Sequence, residues 1–185
     1  MNEHLEPVFK ILLPALEEAG IDCWVYGGVG VAAFAGKFIR KNKDVDIFVK
    51  ETDFGKTKLL LDNLCNKNNY NLKSSISKET GRPKIEDKIF SVIPVYQKVN
   101  KVIFKYNKNK LDKLGNQEYP DKILERVERN ILNYRFFTPQ NKFIKEMFIN
   151  HIKARPDKNK RDNFKKDARA IFTSEEYEKY MGLNK

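Results

Sequence analysis

The stretch Ile21–Lys50, IDCWVYGGVGVAAFAGKFIRKNKDVDIFVK, constrains this chain more than any other. Gly27-Gly28 directly follows an apolar run, and Asp44-Val45-Asp46 directly precedes another. Side chains in a strand alternate between its two faces, so Asp44 and Asp46 are expected to stand side by side. Two carboxylates so placed, opening a strand continued by Ile47, Phe48 and Val49, suit a hard divalent cation held through oxygen, Mg2+ or Mn2+. The glycines lack Cβ atoms, so a turn there lets a phosphate approach backbone N–H groups. A helix expected from about Val29 would direct its positive end at that phosphate. A phosphate cradle beside a metal-binding acid pair points to transfer of a nucleotide or phosphoryl group.

Upstream, Leu5, Val8, Phe9, Leu12, Leu13 and Leu16 recur at helical spacing, giving an amphipathic helix over Leu5–Glu18 with Pro7 in its first turn and Pro14 as a kink. Asp22–Tyr26 is a strand, and Val29–Phe38 a small-residue helix able to lie close to a sheet. Glu51-Thr52-Asp53 caps a helix with an apolar face of Leu59, Leu60, Leu61 and Leu64. A strand is expected over Tyr70–Ile76, then a loop with Gly81 and Pro83, then a hairpin of Ile89–Tyr96 and Lys101–Tyr106. Pro94 cannot donate to a ladder, so a free edge or bulge is expected there. Beyond Asn107, helices are expected over Tyr119–Asn133, Thr138–Ala154 and Ser174–Met181. The fold class is therefore α/β (α+β), a short mixed β-sheet flanked by helices, with a core over 1–106 and a helical C-terminal part of the same domain over 107–185.

Composition narrows the function classes. A hydrophobic content of 41% with 12% aromatics is that of a globular chain. Cys23 and Cys65, far apart, give neither a disulfide framework nor metal-ligand spacing and are expected as buried thiols in a reducing cytosol. The N-terminal MNEHLEPVFK has no signal-peptide character, and no apolar run approaches the ~20 residues of a membrane span, so the expected location is cytoplasmic. A net charge of +11 attracts polyanions, nucleotides and nucleic acid among them.

Three phosphate-binding readings compete for the glycine turn. A P-loop would need glycine at Val31 and a hydroxyl at Phe38, and fails twice. Gly28-Val29-Gly30-Val31-Ala32-Ala33 fits a dinucleotide fingerprint, with Glu51 as the ribose acid. That fold, however, needs further βα repeats that the hairpin and terminal helices do not supply. In the third reading the turn and the acid pair are one site.

Gly27-Gly28, an intervening helix and Asp44-Val45-Asp46 before an apolar strand resemble the signature of the polymerase-beta-type nucleotidyltransferase superfamily. Gly36-Lys37, Arg40 and Asp44-x-Asp46 are similar to the small bacterial antibiotic nucleotidyltransferases and to the nucleotidyltransferase-like toxins of abortive-infection systems. Arg155, Asp157-Lys158 and Arg161-Asp162 also resemble the pattern of such proteins. The resemblance implies a Mg2+-dependent transfer of NMP from a nucleoside triphosphate to a hydroxyl acceptor, which could be an antibiotic or other small molecule, an RNA end or a protein. Asp44 and Asp46 would be metal ligands, Gly27-Gly28 the turn for the β- and γ-phosphates, and Arg40 a cation at a position that matches the family. Lys37 and Lys43 also lie between turn and acid pair, where a cation could neutralise triphosphate charge, and Lys153, Arg155, Lys158 and Arg161 could reach nucleotide or acceptor from the helical part. A third carboxylate is expected where Ser91-Val92-Ile93-Pro94 carries Ser91. Alternation would bring Asp87, Ile89 and Ser91 to one face, so Asp87 is the candidate third ligand and Glu86 the other. With no third acid the chain would be a weak or inactive member, acting as a basic nucleic-acid-binding or regulatory protein. Oligomeric state is not legible.

Overall fold

The computed structural model describes residues 2–68, 73–76, 83–104, 117–154 and 162–181. The amphipathic N-terminal segment buries all six of its expected apolar residues, but not as one regular helix. It runs as a 3-10 turn (Glu3–Leu5), a π-helical turn (Val8–Leu12) and α1 (Leu13–Glu18). Pro14 has no N–H for Lys10 O, and the ladder widens just before it, where Leu13 N–H donates to Val8 O.

β1 (Cys23–Tyr26) leads into α2 (Gly27–Phe34), which starts at the first glycine rather than near Val29. Next come β2 (Val45–Lys50), a 3-10 turn at Glu51–Asp53 and α3 (Phe54–Asn68). On α3, Leu61 is buried and Leu60 and Leu64 pack on the core, whereas Leu59 is exposed, because four leucines in six positions span more than one helix face. β3 (Lys73–Ile76), β4 (Pro83–Glu86), β5 (Phe90–Lys98), β6 (Lys101–Phe104) and β7 (Gln117–Pro120) complete a seven-stranded sheet. Its order is β1-β2-β5-β4-β3, with β6 continuing from β5 and β7 from β6. β2 and β5 are parallel, and every other pair is antiparallel. The antiparallel β1–β2 pair is incompatible with a dinucleotide-binding βαβ unit, whose strands are parallel. Pro94 stands opposite Val49 in the parallel β2–β5 ladder, between the stretch of β5 paired with β4 and the stretch paired with β6.

The helix expected over Tyr119–Asn133 is absent. Tyr119 belongs to β7, and a second sheet is formed by β8 (Val127–Ile131) and β9 (Tyr134–Thr138), closed by Leu132-Asn133 with Leu132 at φ 56°. Leu124, Val127 and Ile131 imitate helical spacing, but Glu128 and Asn130 are exposed while Ile131, Phe136 and Thr138 are buried, the period of two that a hairpin requires. α4 (Asn141–Ala154), α5 (Asp162–Ile171) and α6 (Ser174–Met181) follow. The start of α6 is a reciprocal cap: Glu176 N–H donates to Thr173 Oγ1 (3.2 Å) and Thr173 N–H to Glu176 Oε2 (2.9 Å).

Alternation along β2 sorts the core. Val45, Ile47 and Val49 join one cluster with the N-terminal segment, α2 and Leu61, while Phe48 joins Trp24, Phe104, Phe143 and Met147 in a second. The C-terminal part is thereby continuous with the sheet, and Trp24 Nε1 donates to Leu124 O at 2.7 Å. A third cluster packs Val31 of α2 against α4, α5 and α6. Among the described residues no helix is long and apolar enough to cross a membrane.

Candidate functional site

The glycine turn meets Asp46 at the end of the β1–β2 pair. Tyr26 is extended, and Gly27 then adopts φ +63°, a left-handed conformation that turns strand directly into helix. Across the ladder Tyr26 opposes Asp46. A Cβ on Gly27 would lie 2.2 Å from Asp46 Oδ2, so glycine is demanded there both by backbone conformation and by the carboxylate filling the vacant space. Asp44 immediately precedes the first paired residue of β2, whose Val45 N–H donates to Ile89 O at 2.9 Å. Both acids are half-buried and flank Val45, which is fully buried.

Asp46 opposes Ser91 across the parallel β2–β5 ladder, and Ser91 Oγ donates to Asp46 Oδ1 at 2.8 Å. The same row continues through Glu86 of β4, opposite Ser91. Glu86 also pairs with Lys84. Asp87 lies beyond the end of β4 in the turn to β5: its N–H donates to Phe90 O at 3.0 Å, and its Oδ1 accepts from the Lys88 N–H. The expected alternation of Asp87, Ile89 and Ser91 is interrupted at this turn, since Ile89 packs on the first core and Ser91 faces Asp46. Among the described residues no group of three or more acidic, His or Cys side chains is arranged to hold a metal. The expected pair, Asp44 and Asp46, falls short of that number and would leave a cation to complete its shell with substrate oxygens.

A second contact forms at Gly28. A Cβ there would lie 2.4 Å from Arg40 Nη2 and 2.5 Å from Asn42 Oδ1. Arg40 makes a two-point ion pair with Asp167 of α5, Nε to Oδ1 at 2.8 Å and Nη2 to Oδ2 at 2.7 Å. Asp167 is 3% exposed, and burial raises its carboxyl above the usual aspartate value against the opposing pull of Arg40. Asn42 is buried; its N–H donates to Asn2 Oδ1 at 2.7 Å, while its own Oδ1 has no hydrogen-bond partner. Asn2 Nδ2 donates to Arg40 O at 3.1 Å, so the N-terminal turn clamps the loop that leads into Asp44.

The other expected cations that fall among the described residues are exposed. Lys37 is exposed beyond the C-terminal end of α2, a helix roughly 12 Å long that begins at Gly27. Lys43 is exposed, and Lys153 is exposed in the last turn of α4. Lys158, Arg155, Asp157 and Arg161 lie outside the described residues. Sequence reasoning did not single out Asn2, Asn42 or Asp167. For Asp167 a signal existed: it interrupts the apolar stripe Phe164, Ala168, Ile171 of α5 at helical spacing, and an acid on a buried face needs a partner.

Comparison with known proteins bears on the fold. A sequence model of the aminoglycoside-2''-adenylyltransferase family matches residues 8–79. Among solved structures, ANT(2'')-Ia in complex with adenylyl-2''-tobramycin superposes with a TM-score of 0.65 at 16% identity, covering 97% of this chain and 95% of that one. The lincosamide antibiotic adenylyltransferase LnuA, lincomycin-bound, gives 0.56 at 16% identity, over 90% and 97% of the two chains. An antigenic nucleotidyltransferase-like protein from Paracoccidioides brasiliensis gives 0.52 at 14% identity, over 91% and 74%. No curated protein sequence matches. The chain has the fold of the polymerase-beta-type nucleotidyltransferase superfamily.

Proposed function

We propose that this protein is a cytoplasmic nucleotidyltransferase that takes a nucleoside triphosphate with Mg2+ or Mn2+ as donor and moves its nucleoside monophosphate to a hydroxyl group. The observation that carries the reading is the contact of Asp46 Oδ2 with the space left vacant at Gly27, which joins a metal-type carboxylate to a phosphate-type turn. Backbone N–H groups at the start of α2 would take the terminal phosphates. Asp44 and Asp46 would hold the divalent ion, which supplies Lewis-acid stabilisation of charge on the reacting phosphoryl group. Ser91 holds one oxygen of Asp46, leaving the other toward the glycine turn. The acceptor oxygen forms a bond to the α-phosphorus, the bond from that phosphorus to the bridging oxygen breaks, and pyrophosphate leaves. Of the two acids near Ser91, Glu86 is favoured over Asp87 as the group that takes the acceptor proton. Glu86 shares the Asp46–Ser91 row, while Asp87 sits in the turn bound to Lys88 N–H.

The acceptors to test first are hydroxylated small molecules of the kind bound by the structural relatives, tobramycin and lincomycin. The test is pyrophosphate release and label transfer from each α-labelled triphosphate, with RNA ends and protein acceptors in parallel arms. Acceptor-dependent pyrophosphate release that Asp44→Asn abolishes is expected; release indifferent to Asp44 would refute the assignment. A second reading, a basic nucleic-acid-binding protein without turnover, is favoured by Ser91 standing where a third acid is expected and by the charge of +11. RNA binding that falls steeply with salt and survives both EDTA and Asp44→Ala would select it.

A further inference from the structure

The Arg40–Asp167 pair joins residues 127 positions apart, and its donor count leaves something over. A guanidinium has five N–H donors. Nε and one N–H of Nη2 go to Asp167, and one N–H of Nη1 goes to Lys41 O at 3.2 Å. Two N–H groups remain, one of them on Nη2, the atom that lies 2.4 Å from where Gly28 would carry a Cβ. The partnerless Asn42 Oδ1 borders the same space. A two-point pair fixes the plane of the guanidinium, whereas a single contact would leave it free to rotate. Arg40 and Asp167 have side chains 17% and 5% exposed, so the pair is fixed within the protein rather than at its surface.

We propose that Asp167 is a positioning residue: from α5 it holds Arg40 so that one Nη2 N–H stands over Gly28 as a donor to the phosphates of a nucleoside triphosphate. This rests on the nucleotidyltransferase reading. Gly28, having no side chain, leaves the space this donor uses. Asp167 contributes orientation and not attraction, because its charge offsets that of Arg40.

That opposition makes the sign of the test informative. In Asp167→Asn the two-point anchor is lost while the charge of Arg40 is uncompensated, so Coulomb attraction alone would tighten triphosphate binding. Positioning instead requires weaker binding. Calorimetric titration of Mg2+-nucleoside triphosphate and of the matching nucleoside, on the full chain, is expected to show Asp167→Asn losing on the order of tenfold to a hundredfold for the triphosphate. Nucleoside affinity should hold. Equal or tighter triphosphate binding by a folded Asp167→Asn would overturn the proposal. A second variant exchanges the pair, Arg40→Asp with Asp167→Arg. Recovery of thermal stability without recovery of triphosphate preference supports positioning; recovery of both shows a purely structural link and overturns it. Wild-type protein that binds no nucleotide would sink the functional reading itself, and this inference with it; wild-type binding that Asp167→Asn retains unchanged removes the inference alone.

Discussion

Among the described residues three glycines have left-handed backbones, and two of them make a controlled pair. Gly27 (φ +63°) faces Asp46, whereas Gly36 (φ +71°) has nothing within 4 Å of its missing Cβ. Alanine at either position incurs the left-handed penalty, roughly 1–2 kcal/mol. At position 27 the Asp46 carboxylate must also move, because the Cβ would lie 2.2 Å from Oδ2. That movement sacrifices the Ser91 Oγ bond, and a hydrogen bond to a charged group contributes roughly 1.5–3 kcal/mol, the lower part of that range applying to a half-buried site. With about 2–4 °C of Tm per kcal/mol in a chain of this size, Gly27→Ala should melt roughly 3–8 °C below Gly36→Ala. Differential scanning calorimetry of both variants, without and with Mg2+ and nucleoside triphosphate, reads the difference. Gly36→Ala should keep ligand-induced stabilisation, and Gly27→Ala should lose it. Equal melting temperatures and equal ligand shifts would refute the contact between turn and carboxylate.

Other outcomes follow from neighbouring contacts. Ser91→Asp adds a carboxylate beside Asp46, so it should lower Tm in EDTA and raise the stabilisation given by Mg2+ above that of wild type, both read by thermal melts. Glu176 has its carboxyl held below the ordinary 4.5 by Lys145 and by the Thr173 N–H. Its contribution is therefore present above pH 4.5 and lost as pH falls through the lower folded value. Glu176→Gln should melt below wild type at pH 7, with the gap closing on acidification. The Cys23 thiol is pushed up to about 12 by burial. Native protein at pH 8 should leave Cys23 unalkylated by iodoacetamide in peptide mass spectrometry, with labelling appearing on unfolding.

What the sequence disclosed was local. The turn at Gly27 and the strand that begins after Asp44 were legible because a turn needing φ > 0 and an apolar strand each leave their mark within a few residues. The N-terminal apolar residues were legible for the same reason, although the π turn before Pro14 was not. The segment 119–133 misled because Leu124, Val127 and Ile131 recur at helical spacing, whereas Leu124 and Ile131 pack into two different cores from a 3-10 turn and a hairpin strand. Asp167 and Asn2 were hidden by distance along the chain: their partners Arg40 and Asn42 lie 127 and 40 positions away. Glu86 became the more favourable acid only through register, which placed it opposite Ser91 and left Asp87 in the turn.

The most direct test is a calorimetric titration of ATP, GTP, CTP and UTP into wild type and an Asp44→Ala/Asp46→Ala variant, each with Mg2+ and with EDTA. A nucleotidyltransferase site requires that at least one triphosphate bind wild type in Mg2+, and that EDTA or the double substitution abolish that binding while the variant remains folded by circular dichroism. Folded wild-type protein that binds none of the four in Mg2+, or a variant that binds as well as wild type, would contradict it.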